Sequence, residues 1–221
     1  MQVFAELDVY HDRAERSAAL NMAMDEALLE RATRPLIRFY GWKHPALSFG
    51  YFGKFADVAE QANRRDLVRR WTGGGIVLHG EDLTYTVIIP SSADLYHTSS
   101  NVIYAGIHAA LCDTFAASGQ PAELAEVAAP FDSEACFARA VVADVTIGGR
   151  KVAGAAHRRT RMGLLHQGSI QQVDLSDGLA AAFAGRLSAQ CQDLTIDEET
   201  ARRAGEIAEA KYATDQWLHR R

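Results

Sequence analysis

Apolar positions along the chain follow two rhythms. Over residues 17–30, Leu20, Met24, Ala27 and Leu28 recur at helical spacing. Residues 101–117 repeat that spacing, with Ile103, Ile107, Ala110, Leu111 and Phe115 as the inner stripe. Ser99 or Ser100 is placed to cap this second helix and Gly119 to end it. Residues 179–187 and 198–212 read as further helices, and 56–65 as a short one. Between them lie short runs of strand-forming residues at 36–40, 46–49, 67–70, 76–79, 83–89, 141–147, 152–156 and 164–173. Lys43-His44-Pro45 separates the first two strands, and Gly148-Gly149 marks a hairpin. Strands come in hairpin-like clusters with helices between the clusters. The predicted class is therefore α+β, with a mixed, largely antiparallel sheet flanked by helices.

Composition narrows the function classes. With 221 residues, 48% apolar and 23% charged, the chain supports one substantial core, read as a single domain over 1–221. A formal net charge of −5 lacks the basic footprint of a nucleic-acid binder. No apolar run approaches the roughly 20 residues that span a bilayer. The first residues, Met1-Gln2-Val3-Phe4-Ala5-Glu6, carry neither the basic nor the hydrophobic region of a signal peptide, so a cytoplasmic location is expected. Cys112, Cys136 and Cys191 are sparse and far apart, which fits reduced thiols and neither a disulfide framework nor a zinc signature.

Three segments carry candidate chemistry. In Arg69-Arg70-Trp71-Thr72-Gly73-Gly74-Gly75-Ile76-Val77-Leu78-His79, three glycines separate two arginines from a β-branched run. Glycine backbone can aim several N–H groups at one point and let a ligand approach closely. A tight turn with surface arginines accounts for the same residues. The spacing is not GxGxxG and a strand follows, so a dinucleotide-binding βαβ unit is excluded. The second segment runs from Gly148 through Arg150-Lys151-Val152-Ala153-Gly154-Ala155-Ala156 to His157-Arg158-Arg159. Its small residues leave room for a ligand against the strand, where Lys151 can hold an anionic group, or Lys151 is a solvated turn lysine. At an effective dielectric of 20 and ~4 Å, one such pair is worth roughly 4 kcal/mol before desolvation. The third segment is Leu164-Leu165-His166-Gln167-Gly168-Ser169-Ile170, a strand whose histidine is equally readable as structural.

Together with Asn21-Met22-Ala23-Met24-Asp25-Glu26-Ala27-Leu28 and the closing Lys211-Tyr212 and Trp217, these segments resemble the lipoate/octanoate protein ligase and transferase family, relatives of biotin protein ligases. The resemblance runs from about Leu20 to Trp217. It implies a class II biotin/lipoyl-ligase-like fold and transfer of a lipoyl or octanoyl group to a lysine of an acceptor protein. Such acceptors are lipoyl domains of 2-oxoacid dehydrogenase E2 subunits and the glycine cleavage H protein. Carried over by motif, Gly73, Gly74 and Gly75 would hug the acyl-phosphate region with Arg70 beside it. Lys151 would bind the activated acyl oxygen, and His79 would line the acyl tunnel. Val77, Leu78 and the Ala153-Gly154-Ala155 wall would keep the tunnel dry, and His157, His166, Arg158 and Arg159 would shape the acceptor-docking or nucleotide rim, or else are ordinary polar strand residues.

Two branches of the family differ in chemistry. A ligase uses ATP and Mg²⁺ to make an acyl-adenylate such as lipoyl-AMP from lipoate. Gly75 and the acidic Asp144, expected to contact Mg²⁺ or nucleotide, favour that branch, although Ala143 stands where ligases usually have asparagine. A transferase takes octanoate from acyl carrier protein through a cysteine thioester. Cys136-Phe137, fifteen positions before Lys151, favours that one, although Cys136 also reads as a small buried residue. The leading expectation is an ATP-dependent lipoate–protein ligase without the C-terminal accessory domain, with a separate small subunit able to supply it. The runner-up is a Cys136-dependent octanoyltransferase, and a third reading is a non-catalytic lipoate or lipoyl-domain binder. Asp25 and Glu26 are expected to cap, face solvent or bind a basic partner, and Cys112 and Cys191 to be structural.

Overall fold

The computed structural model describes residues 2–126, 140–175 and 178–220. Strand β1 (Leu7–Arg16) leads into helix α1 (Ala18–Arg31). Ser17 caps that helix, its hydroxyl accepting from the Leu20 amide at 3.3 Å. Strands β2 (Leu36–Trp42), β3 (Ala46–Phe49), β4 (Asp66–Arg69), β5 (Val77–His79) and β6 (Leu83–Pro90) follow. Helix α2 (Ser100–Ala117) is capped by Ser99 and ends before Gly119, which takes φ +78°. Strands β7 (Glu123–Leu124), β8 (Val145–Ile147), β9 (Arg150–Arg159) and β10 (Gly163–Ile170) form the next cluster. Helix α3 (Leu179–Leu187), strand β11 (Cys191–Leu194) and helix α4 (Glu198–Ile207) follow, then a π-helical turn (Ala208–Tyr212) and helix α5 (Asp215–Leu218).

Eight strands make the main sheet, in the order β11-β1-β2-β6-β10-β9-β8-β7. β1 runs parallel to both its neighbours, and every other adjacent pair is antiparallel. A small second sheet, β4-β3-β5, stands apart from it. The mixed, largely antiparallel α+β reading therefore holds. On one face of the main sheet, Phe39, Tyr85, Val87 and Leu164 pack against Ile103, Ile107, Leu111 and Phe115 of α2 and Phe183 of α3. On the other, Leu36, Tyr40, Ile88 and Leu165 pack against Met22, Met24 and Leu28 of α1 and Ile207 of α4. Each fully buried large side chain contributes about 1.5–3 kcal/mol of transfer free energy. No helix among the described residues is long and apolar enough to cross a membrane.

Four local expectations change. The chain at 56–65 forms two 3₁₀ turns, Phe55–Asp57 and Ala59–Gln61, with no side-chain cap and no buried residue to reward a longer helix. The strand expected over 141–147 starts at Val145, because a turn closed by the Asp144 amide on the Val141 carbonyl occupies the preceding residues. β1 and β11 are strands the sequence pattern did not announce. Asp25 neither caps nor faces solvent: it is fully buried and accepts from Arg38, itself fully buried, at 2.7 Å. Thr86, Gln167 and Tyr40 also donate to the Asp25 carboxylate. Glu26 accepts from Lys211 and from the Tyr212 hydroxyl, each at 2.6 Å, and so ties α1 to the C-terminal turn.

Candidate functional site

A slot with about 120 Å³ of space that a water-sized sphere can occupy, open to solvent at its outer end, runs between the small sheet, the glycine-rich loop and the α1 face of the main sheet. Its narrow shape and largely apolar lining suit an alkyl chain. Period-two alternation decides which strand residues face it. Tyr40 and Trp42 of β2, Thr84 of β6, Gln167 and Ser169 of β10, and Gly154 and Ala156 of β9 share the slot's side.

The glycine loop forms one wall and is clasped by its own arginine. Arg70 donates to the carbonyls of Gly73 and Gly75 at 3.1 and 2.7 Å, and to the Ser48 hydroxyl at 2.7 Å. Gly74 adopts φ +80°, and a Cβ there would lie 3.2 Å from the Ala156 methyl. Gly50 passes so close to the Gly73 and Gly74 carbonyls that no side chain fits between them. Thr72 donates to Gln167 at 2.8 Å, and Gln167 in turn donates to Asp25 at 2.8 Å, which fastens the loop to the buried ion pair. Arg69 holds the backbone of Tyr51, Gly53 and Trp217, while the Trp217 indole donates to the Arg69 carbonyl at 2.9 Å.

Opposite this wall stands Lys151. Its ammonium lies 2.8 Å from the Asp144 carboxylate and its side chain is 10% exposed. The lysine stem crosses the face of Gly154, where a Cβ would lie 2.5 Å from Cε. Asp144 is fully buried, and it also accepts from the Tyr104 hydroxyl at 2.5 Å and the Val141 amide at 2.7 Å. Burial, then the Asp144 charge, raises the Tyr104 pKa far above the usual phenol value, so Tyr104 remains a donor. Asp144 thus grips Lys151 instead of presenting oxygens to Mg²⁺, which removes the tentative metal role. Among the described residues no three His, Cys, Asp or Glu side chains gather as a metal site.

At the β5 side, His79 stacks on Trp42 at 4.1 Å between ring centres. Its Nε2 lies 2.7 Å from Ser48 Oγ and its Nδ1 2.8 Å from Asp82. Burial lowers the His79 pKa. Burial opposes ionisation of Asp82, yet hydrogen bonds from His79, Thr84 and Ser169 hold its pKa below the ordinary carboxylate value.

Of the residues expected from sequence, Arg70, Gly74, Gly75, Val77, His79, Lys151, Gly154 and Ala155 line the slot. Gly73 contributes its carbonyl to the Arg70 clasp. Leu78 points outward at 49% exposure, and Ala153 lies in the core behind. His166 is fully buried among Tyr85, Tyr104, His108 and His157, on the α2 side of the sheet, and is not part of the slot lining. Cys136 lies outside the described residues. Cys112 is half-buried and Cys191 is exposed on β11. Ser48, Trp42, Tyr40 and Thr84 are slot residues that sequence reasoning missed, for no short motif marks them, while Met22, Gln167 and Ser169 stand in motifs quoted from the sequence without a role assigned to them.

Residues 17–190 match the family described as lipoyl protein ligase A/B catalytic domain. The chain belongs to that family. Octanoyltransferase LipM of Macrococcus caseolyticus is 37% identical over 174 residues, 71% of this chain and 63% of the relative, so the match spans less than two thirds of that protein. Octanoyltransferase LipM of Brevibacillus brevis is 30% identical over 93% of this chain and 96% of its own length. A solved lipoate-protein ligase A bound with ATP superposes with a TM-score of 0.76 at 21% identity, covering 97% of this chain and 98% of that one. At that identity the likeness shows the shared fold alone, which is the lipoyl-ligase-like fold expected. The relatives named as octanoyltransferases overturn the leading expectation of an ATP-dependent lipoate–protein ligase. A transferase moves an acyl group already activated on its carrier, so ATP, Mg²⁺ and a lipoyl-AMP intermediate are withdrawn as well.

Proposed function

We propose that this protein is a cysteine-dependent octanoyltransferase acting from acyl carrier protein onto a lipoyl-domain lysine. The observation that carries the reading is the Lys151 ammonium, fixed by Asp144 at a slot whose other wall is a clasped glycine loop. The names of the two relatives support it. In this reading the alkyl chain lies in the slot and Lys151 polarises the thioester carbonyl. The Cys136 thiolate attacks the carbonyl carbon, the carbon–sulfur bond to the carrier breaks, and the carrier thiol leaves. The acceptor ε-amine then displaces Cys136, forming an amide and regenerating the thiol. Acceptors of this chemistry are 2-oxoacid dehydrogenase E2 lipoyl domains and the glycine cleavage H protein.

The test mixes the protein with octanoyl carrier protein and a lipoyl domain, without nucleotide, and follows the acceptor by mass spectrometry. The acceptor gains one octanoyl group, and Cys136→Ser abolishes the gain. Undiminished transfer by Cys136→Ser, or none by the wild type, overturns the proposal.

A further inference from the structure

One constellation in the slot wall has no part in the chemistry above. Ser48 on β3, His79 on β5 and Asp82 just before β6 form a continuous hydrogen-bonded line, with Oγ–Nε2 at 2.7 Å and Nδ1–Oδ2 at 2.8 Å. Ser48 and His79 both line the slot. Proton positions follow from the partners. Asp82 is ionised and only accepts, so His79 Nδ1 carries the hydrogen and Nε2 is the bare acceptor. Arg70 donates to Ser48 Oγ at 2.7 Å, so the serine proton points at His79 Nε2. Asp82 is itself held in place by Thr84 and Ser169 at 2.7 Å and by the Gly80 amide at 3.1 Å. Burial disfavours the charged ring, so His79 rests neutral with Nε2 open to accept a proton. Nucleophile, base and orienting carboxylate thus stand in the relation that makes a serine hydroxyl reactive, and the Arg70 guanidinium places fixed positive charge beside the attacking oxygen.

We infer that Ser48, His79 and Asp82 are a second acyl-accepting centre, which hydrolyses medium-chain acyl thioesters when no acceptor lysine arrives. Ser48 Oγ bonds to the thioester carbonyl carbon while its proton passes to His79 Nε2. The carbon–sulfur bond breaks, and that proton leaves with the thiol. Water, deprotonated by His79, then cleaves the Ser48 ester, returning the serine proton and releasing the carboxylic acid. The net reaction is thioester plus water to acid plus thiol. It rests on the transferase reading only in requiring an acyl thioester to enter the slot.

The experiment uses the full chain carrying Cys136→Ala, with octanoyl-N-acetylcysteamine and no acceptor protein, and follows thiol release. Release persists, and adding Ser48→Ala lowers it by about 10³-fold. His79→Gln does the same. An octyl fluorophosphonate probe, applied to the Cys136→Ala protein, labels the peptide bearing Ser48. That labelling needs no change at Ser48 and so is independent of any folding defect there. Absence of release in Cys136→Ala, unchanged release after Ser48→Ala, or labelling that misses Ser48 overturns the inference. Wild-type transfer to a lipoyl domain in the presence of any of these results leaves the transferase reading standing. A wild type that neither transfers nor releases thiol removes both.

Discussion

Replacing Asp25 by alanine removes the centre of a fully buried charge network. Four donors lose their acceptor: Arg38 at 2.7 Å, Thr86 at 2.7 Å, Gln167 at 2.8 Å and the Tyr40 hydroxyl at 3.3 Å. Arg38 keeps Asp12 and Asn21 as partners but remains buried with its charge under-compensated. Breaking such a pair from one side costs about 3–5 kcal/mol. For a chain of this length each kcal/mol lowers the melting temperature by about 2–4 °C, so Asp25→Ala melts roughly 6–20 °C lower. Replacing both partners by apolar residues of similar volume, Asp25→Leu with Arg38→Met, restores part of the loss, because the under-compensated buried guanidinium is gone while Thr86, Gln167 and Tyr40 still lack their acceptor. Calorimetry and urea unfolding of the two single variants and the double measure this directly. Gln167 anchors Thr72, so octanoyl transfer by Asp25→Ala falls even at temperatures where the protein is folded. A loss under about 1 kcal/mol for Asp25→Ala, or a double variant no better than the singles, would refute the reasoning.

Other outcomes follow from the same geometry. Gly74→Ala forces a side chain into φ +80° against Ala156 and Arg70, costing about 1–2 kcal/mol and reducing transfer, with the loss read by thermal melting and by acceptor mass. Gly154→Val pushes the Lys151 stem off its seat, so transfer falls steeply while the circular dichroism spectrum stays that of the wild type. Lys151→Met abolishes octanoyl transfer, and full activity in that variant would remove the proposed role. Burial lowers the His108 pKa to about 4, against 6.5 in the unfolded chain. The unfolded chain therefore binds the proton first, so stability is flat above pH 6.5 and falls as pH drops from 6.5 to 4, by up to about 3 kcal/mol. Urea unfolding across that window should show the slope, and His108→Phe should make it shallower, leaving the part that His79, His157 and His166 contribute in the same direction.

The fold was legible where periodicity and capping agreed. Ser17 and Ser99 cap the helices they were expected to cap or border, and α3 keeps its expected bounds because Leu179, Phe183 and Leu187 make a simple stripe. β1 escaped because only Leu7 and Val9 alternate, while its second half, Asp12 to Arg16, is polar and held by side-chain pairing. β11 escaped as a short, mostly exposed edge strand. The motifs led to both walls of the slot, Arg70 with its glycines and Lys151 with Gly154. They could not reveal the partners that arrive from far along the chain. Ser48, Tyr104 and Gln167 matter only because β3, α2 and β10 converge, and Asp144 read as an open ligand until its oxygens were seen to be taken. His166 sits one residue from Gln167, and the strand's alternation sends it to the opposite face.

The near-contact of Gly50 with the Gly73 and Gly74 carbonyls makes one side of the slot a matter of main chain alone. Side-chain variation has little to act on there, so divergence in acyl-length preference falls to the facing strand. A bulkier residue at Ala156 shortens the accommodated chain and presses on Gly74 at the same time, whereas substitution at Gly50 disables the enzyme for every chain length alike.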